Sequence, residues 1–203
     1  MKPINEIFYS LQGEGRWAGR PAVFVRFSGC NLRCPFCDTD HAAHELLSTE
    51  QIVERILQFC PKNTENHRQM LVVLTGGEPS LFVDKEFIDA MHAANLYVAI
   101  ETNGTRRLPE GIDWITLSPK DAYALNAEVV IDKANELKLI FEGSVVPSIC
   151  DYPVAADTHL YLQPCDTGDA ERNTQILYAA VDYCLAHPCW SLSLQQHKII
   201  NIK

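Results

Sequence analysis

Leu71-Val72-Val73-Leu74-Thr75-Gly76-Gly77-Glu78-Pro79 places a short apolar β run directly ahead of a double-glycine loop. Runs of the same kind recur at Ala22–Phe27, Gln69–Leu74, Tyr97–Glu101, Trp114–Leu117, Glu136–Ile140 and His159–Leu162, and each reads as a strand. Amphipathic stretches fall between several of them: Thr49–Phe59 with Ser48 in the N-cap position, Lys85–Ala94, and Asn173–Ala186 after a polar loop. Strands alternating with helices predict a parallel sheet. Six strands are too few to close an eight-stranded barrel, so the expected fold class is α/β, an open partial (β/α) barrel with about six parallel strands. No repeat, low-complexity tract or linker divides the chain, and residues 1–203 are expected to form one domain.

The segments rich in reactive side chains follow these strands: the loop around Cys30–Cys37, then Thr75–Pro79, Thr102–Gly104, Ser118–Lys120 and Gln163–Asp166. In parallel α/β sheets and barrels the loops at the carboxyl edge build the ligand site, so one sheet would gather all five around one mouth. Composition narrows what enters that mouth. With 203 residues, 47% apolar content and a net charge of −9, the chain can bury a real core but lacks the basic face that binds nucleic acid. A small molecule is the expected partner. The first residues show no cationic stretch followed by an apolar signal segment, and no run approaches the roughly 20 apolar residues of a membrane span. The expectation is a cytoplasmic protein without membrane association.

Three of the eight cysteines are clustered, in Gly29-Cys30-Asn31-Leu32-Arg33-Cys34-Pro35-Phe36-Cys37-Asp38-Thr39. Clustered cysteines in a cytosolic chain point to metal or redox chemistry rather than disulfides. Three thiolates with no fourth cysteine nearby suit a 4Fe–4S cube with one iron left open for an exogenous chelator. His41 offers an alternative, since Cys30, Cys34, Cys37 and His41 match a tetrahedral zinc site of three thiolates and one imidazole. Spacing alone does not separate the two; the strand-end segments downstream, which structural zinc would not require, favour iron and sulfide. In Thr75-Gly76-Gly77-Glu78-Pro79 the paired glycines let backbone approach a ligand and offer its carbonyls to an ammonium group, although such a pair is often only a tight turn.

The three-cysteine loop followed by Gly-Gly-Glu-Pro resembles the radical S-adenosylmethionine superfamily. In its pattern three cysteines hold a 4Fe–4S cluster whose open iron binds S-adenosylmethionine, implying a partial barrel of the radical SAM type. Further residues narrow the resemblance: Glu6-Ile7-Phe8-Tyr9-Ser10-Leu11-Gln12-Gly13-Glu14-Gly15, then Arg26, Glu101-Thr102-Asn103-Gly104, Ser118-Pro119-Lys120, Glu136-Leu137-Lys138, Gln163-Pro164-Cys165-Asp166 and Gln195-Gln196-His197-Lys198. Together they are similar to the 7-carboxy-7-deazaguanine synthases, over nearly the whole chain.

That resemblance implies a lyase of the queuosine route that turns 6-carboxy-5,6,7,8-tetrahydropterin into 7-carboxy-7-deazaguanine with loss of ammonia. It implies cluster ligation by Cys30, Cys34 and Cys37. It assigns S-adenosylmethionine to Phe36, Cys37, Asp38, Gly77, Ser118, Pro119, Lys120, Gln163, Pro164, Cys165 and Asp166. It gives the carboxypterin to Leu11, Gln12, Gly13, Arg26, Thr75 and Lys203, and a Mg2+ ligand to Thr39. Arg26 suits a carboxylate, and the Gln12 amide suits a pterin edge. Glu14, Glu78 and Glu101 are the candidate catalytic proton handlers. An electron donor such as flavodoxin or ferredoxin and a homodimer are implied as well.

Two positions depart from the pattern: Lys203 stands where some relatives have proline, and Cys165 where some have methionine. His92 and His187 read as packing or surface residues. Alternatives for the whole chain are a radical SAM activase of a partner protein and a zinc-bearing interaction module.

Overall fold

The computed structural model describes residues 1–37, 44–60, 69–146 and 148–203. The elements run β1 (Lys2–Leu11), β2 (Pro21–Phe27), β3 (Glu45–Leu47), α1 (Thr49–Gln58), β4 (Met70–Gly76), α2 (Lys85–Ala93) and β5 (Leu96–Thr102). They continue through β6 (Trp114–Leu117), β7 (Glu136–Phe141), β8 (His159–Pro164), α3 (Ala170–Ala186), β9 (Trp190–Leu192) and α4 (Gln196–Ile199). A single sheet orders its strands 3-1-2-4-5-6-7-8-9. From β2 through β9 every neighbouring pair is parallel, whereas β1 runs antiparallel to both β2 and β3. β3 and β9 form the two free edges, so the sheet is curved but not closed. Among the described residues no helix is long and apolar enough to cross a membrane.

All six expected strands form, and three more join them. β9 is a seventh parallel strand, too short at three residues to carry a sequence signal. β1 escaped recognition because its register shifts between Ile4 and Glu6; a bulge breaks the two-residue alternation that marks a strand. β3 is three residues paired to the start of β1. The helices begin where capping chemistry dictates. Ser48 and Gln51 make a reciprocal capping box at α1, and the Asp84 carboxylate accepts the Phe87 N–H at the start of α2. The third helix starts at Ala170 rather than Asn173, because Asp169 accepts the Arg172 N–H and caps a turn earlier.

Alternation along each strand sorts two faces. Val23, Val25 and Phe27 on β2, Val72 and Leu74 on β4, Val98 and Ile100 on β5 and Leu137, Leu139 and Phe141 on β7 point outward. They pack with Ile52, Ile56, Phe87, Met91 and Ile176 of the helices into one continuous core. The opposite, concave face holds a smaller apolar floor of Ala22, Phe24, Leu71, Val73 and Ala99, with Trp17, Tyr97 and Trp114 packed against it. Toward the carboxyl ends the same concave rows turn polar, at Arg26, Thr75, Glu101, Lys138 and Gln163. A sheet apolar at the bottom and polar at the mouth builds a cup.

Phe27 joins the helix layer to the site: fully buried, it stacks on Phe82 at 5.7 Å and meets Phe87 edge-on at 6.2 Å. Phe27→Ala is expected to cost about 3–5 kcal/mol, read as a lowered urea midpoint with unchanged slope, and Phe27→Leu clearly less.

Candidate functional site

The cysteine loop leaves β2 at Phe27 and rests on the β4 loop through an unusually close backbone contact. A Cβ on Gly77 would stand 1.9 Å from the Gly29 carbonyl oxygen, and one on Gly76, whose φ is +112°, would stand 2.3 Å from that of Phe27. The Gly77 N–H donates to Phe27 O at 3.0 Å and the Glu78 N–H to Gly29 O at 2.9 Å. Only glycine tolerates both the positive φ and the contact. Glu78 is 1% exposed. Its Oε1 accepts the Ser80 N–H (3.0 Å) and the Thr102 hydroxyl (2.7 Å), and its Oε2 accepts the Asn103 N–H (2.8 Å). Asn103 Nδ2 then donates to Asn31 Oδ1 at 3.2 Å. One buried carboxylate therefore locks the ends of β4 and β5 together and, through Asn103, holds the cysteine loop.

A cavity of about 580 Å³ opens at this carboxyl edge, a size suited to one cofactor plus a small substrate. Cys30, Cys34 and Cys37 all line it. Burial pushes the Cys30 and Cys34 thiols up, so they stay protonated until a metal displaces the proton. Among the described residues no three Cys, His, Asp or Glu side chains close around a point fit for a single ion. Three thiols lining one cavity are a donor set that suits a 4Fe–4S cluster with one iron left open. His41, Asp38 and Thr39 lie outside the described residues.

The facing side of the cavity is organised by Lys138, which projects from β7 with a side chain only 5% exposed. Its ammonium donates to Glu14 Oε2 and, at 3.4 Å, to Glu101 Oε2. Gln12 Nε2 donates to Glu101 Oε1 at 3.0 Å, and Gln195 Nε2 to Glu14 Oε1 at 3.0 Å. Burial alone would raise the Glu14 carboxyl, but the Lys138 ammonium and the Gln195 amide hold it down at about 2. Burial would likewise lower Lys138, and Glu101, Glu14 and Glu136 reverse that, keeping it protonated. Glu136, buried on the same strand face, is pushed up by burial although Lys138 and the Arg16 N–H oppose the shift.

Segments distant in sequence finish the walls. Gly13 sits under His197, where a Cβ would meet His197 Nδ1 at 2.3 Å, and its carbonyl accepts the Gln196 N–H at 3.0 Å. Ser193 links Gln163 to the Gly15 N–H. Glu6 bridges Arg26, through Nε at 3.0 Å, and Lys203; although burial opposes them, these two cations lower its pKa. Lys120 donates to the Ser118 hydroxyl and carbonyl at 2.7 and 2.6 Å, and burial together with the nearby Lys138 charge lowers it to about 8. Asp166 accepts from Lys198 at 2.7 Å and Asn173 at 2.8 Å, which with the Gly168 N–H hold it at about 2. Phe36 meets Tyr123 edge-on at 4.9 Å.

The cavity thus gathers Leu11, Gln12, Gly13, Glu14, Arg26, the three cysteines, Phe36, Thr75, Gly77, Glu78, Glu101, Ser118, Lys120, Gln163, Pro164, Cys165, Asp166 and Lys203. Pro119 is buried and does not line it. The Gln12 amide, expected to face a ligand, is already engaged at both ends, its carbonyl accepting the Glu14 N–H. Lys138, Asn103, Gln195 and His197 also line the cavity but received no role from the sequence. For Lys138 a signal existed: Glu136 and Lys138 are two apart on a strand and so share a face.

A model of the Radical SAM superfamily matches residues 24–143. Over the full length of both chains this sequence is 48% identical to a 7-carboxy-7-deazaguanine synthase from Bacteroides thetaiotaomicron. It is 44% identical to the synthase from Nitratidesulfovibrio vulgaris and 41% to that from Burkholderia multivorans, each aligned over 98% of both chains. The solved structure of QueE from Escherichia coli superposes with a TM-score of 0.72 at 27% identity, covering 97% of this chain and 94% of that one.

Lys138→Met strands the carboxylates around it and is expected to cost about 3–5 kcal/mol at neutral pH, measured by urea unfolding. The loss should shrink in acid as the Glu14 carboxyl protonates. Because the folded Glu14 value lies below its ordinary 4.5, its stabilisation is present above that value and fades as pH falls toward about 2. A plot of urea midpoint against pH should therefore fall less steeply over that window for Glu14→Gln than for the parent chain.

Proposed function

The chain belongs to the radical SAM superfamily and within it to the 7-carboxy-7-deazaguanine synthases, enzymes of queuosine biosynthesis, and from this premise we propose how its cavity performs that synthesis. Membership brings a 4Fe–4S cluster and S-adenosylmethionine. The substrate is 6-carboxy-5,6,7,8-tetrahydropterin, and the product is 7-carboxy-7-deazaguanine with ammonia released. When bound, the two cofactors supply one-electron cleavage of a sulfonium bond and a hydrogen-abstracting deoxyadenosyl radical. The chain's residues bind, orient and exclude water.

One observation carries the reading: three thiols line the same cavity as a fixed polar array of Gln12, Glu14, Glu101 and Lys138. Cys30, Cys34 and Cys37 hold the cluster. Phe36, Gly77, Ser118, Lys120 and Gln163–Asp166 would hold S-adenosylmethionine along the rim, and Asp38 and Pro119 are assigned to the same ligand by the family resemblance. Leu11, Gln12, Gly13 and Thr75 meet the pterin. Arg26, side chain 29% exposed and sharing Glu6 with Lys203, presents a guanidinium to the substrate carboxylate. Thr39 would supply a hydroxyl to a Mg2+ ion; magnesium keeps waters and needs few protein ligands. Glu14 and Glu101 stand against the Lys138 ammonium, which holds the Glu14 carboxyl ionised, and their oxygens can accept hydrogen bonds from the N–H groups of a guanidine-like pterin edge. Glu78 has both oxygens committed to backbone and Thr102 and acts as a positioning residue. Two copies assemble as a homodimer.

The deciding experiment is an anaerobic assay of reconstituted protein with reductant, magnesium and the carboxypterin, following the deazaguanine product. Cys34→Ala is expected to abolish product and S-adenosylmethionine cleavage and to lower bound iron and sulfide, with the fold retained by circular dichroism. One bound zinc without iron or sulfide in the parent chain, or full turnover by the variant, would overturn the assignment.

A further inference from the structure

The proposed chemistry needs one electron brought to the cysteine loop by a separate carrier, and exposed arginines stand on and beside that loop. The sequence carries 26 acidic and 17 basic residues, and Arg55, Lys85, Lys198 and Lys203 are all paired with carboxylates. Arg33, Arg106 and Arg107 are exposed and, among the described residues, make no hydrogen bond or ion pair. Arg33 lies between Cys30 and Cys34. Arg106 and Arg107 follow Thr105, whose hydroxyl accepts from Asn31 Nδ2 at 2.8 Å, while Asn103 reaches Asn31 Oδ1. These hydrogen bonds hold the arginine pair beside the cysteine loop. Exposed apolar side chains share that edge. Leu125 is 90% exposed, two residues from the Tyr123 ring that packs on Phe36. Val130, 48% exposed, donates its N–H to Gly104 O at 2.8 Å.

We propose that Arg33, Arg106 and Arg107, with Leu125 and Val130, form the docking face for a small acidic one-electron carrier of the flavodoxin or ferredoxin kind. The proposal rests on the functional reading above. The reduced carrier gives one electron to the cluster held by Cys30, Cys34 and Cys37 and leaves oxidised by one electron. Guanidinium groups are weakly hydrated and suit such an interface. Unpaired charges of one sign at its rim speed encounter with an oppositely charged partner. In a chain of net charge −9 they also offset the general repulsion of an acidic carrier. Glu128 and Asp132 flank Val130 in sequence, which places the stronger attraction at the arginines.

The test reverses the two arginines outside the cysteine loop, Arg106→Glu with Arg107→Glu, and titrates the protein with an acidic flavodoxin in its oxidised FMN form, read by flavin fluorescence anisotropy. The dissociation constant should rise about tenfold or more at low salt, and the difference should close near 0.5 M salt, where screening is short-ranged. In the reconstituted holoenzyme, turnover driven by limiting reduced flavodoxin should fall, while dithionite-driven turnover stays at the parent level. Unchanged flavodoxin affinity with an unchanged salt response would overturn the docking face even if product forms normally. Absence of product from the parent enzyme under dithionite would instead overturn the functional reading. Because the titration needs no turnover, Arg106→Gln with Arg107→Gln probes the same face should charge reversal impair cluster loading, with a smaller expected rise.

Discussion

The ammonium of Lys138 is the interaction around which the cup is arranged. A partial barrel of this size has a concave face that must be either filled with apolar side chains or kept polar and hydrated. Here the bottom is filled by Trp17, Tyr97 and Trp114, and the mouth is polar. Polarity near a buried sheet is costly unless every charge is compensated. Lys138 compensates Glu14 just beyond β1 and Glu101 on β5 from its own place on β7. It thereby ties strands that do not neighbour one another in the sheet, across the interior of the cup. Gln12 and Gln195 complete the network with neutral amides.

The opposite wall depends on steric exclusion rather than charge. Gly76 and Gly77 let the loop after β4 lie directly on the backbone of Phe27 and Gly29, and Glu78 secures that contact to β5. The cysteine loop is therefore braced along its first residues before any ligand binds. A radical enzyme benefits from such bracing, because the reactive centre must sit at a fixed distance from the substrate and away from water. One wall is thus fixed by close backbone contact and the other by charge.

Much of this arrangement was legible in the chain. The six central strands announced themselves by apolar runs, and the reactive segments were recognised because each follows such a run. The cysteine spacing with Gly76–Pro79 pointed to the superfamily, and Gln12, Arg26 and Glu101 pointed to the family. Less legible were β1, disguised by its bulge at Ile4–Glu6, and β9, only three residues long. The start of α3 at Ala170 depended on Asp169 acting as cap, a choice that several polar residues in that loop could have made.

The sequence by itself determined the six central strands, the loops that follow them and the family the chain resembles, because periodicity and motif spacing are local properties. Only the tertiary structure decided who partners whom. That Lys138 stands between Glu14 and Glu101, that Gln12 is already engaged, that Glu78 is a brace and that His197 closes over Gly13 all follow from pairing between segments far apart in the chain. Such pairings are set by sheet order and curvature. No local pattern encodes them, since the electrostatic and steric consequences of a residue depend on what the fold brings opposite it.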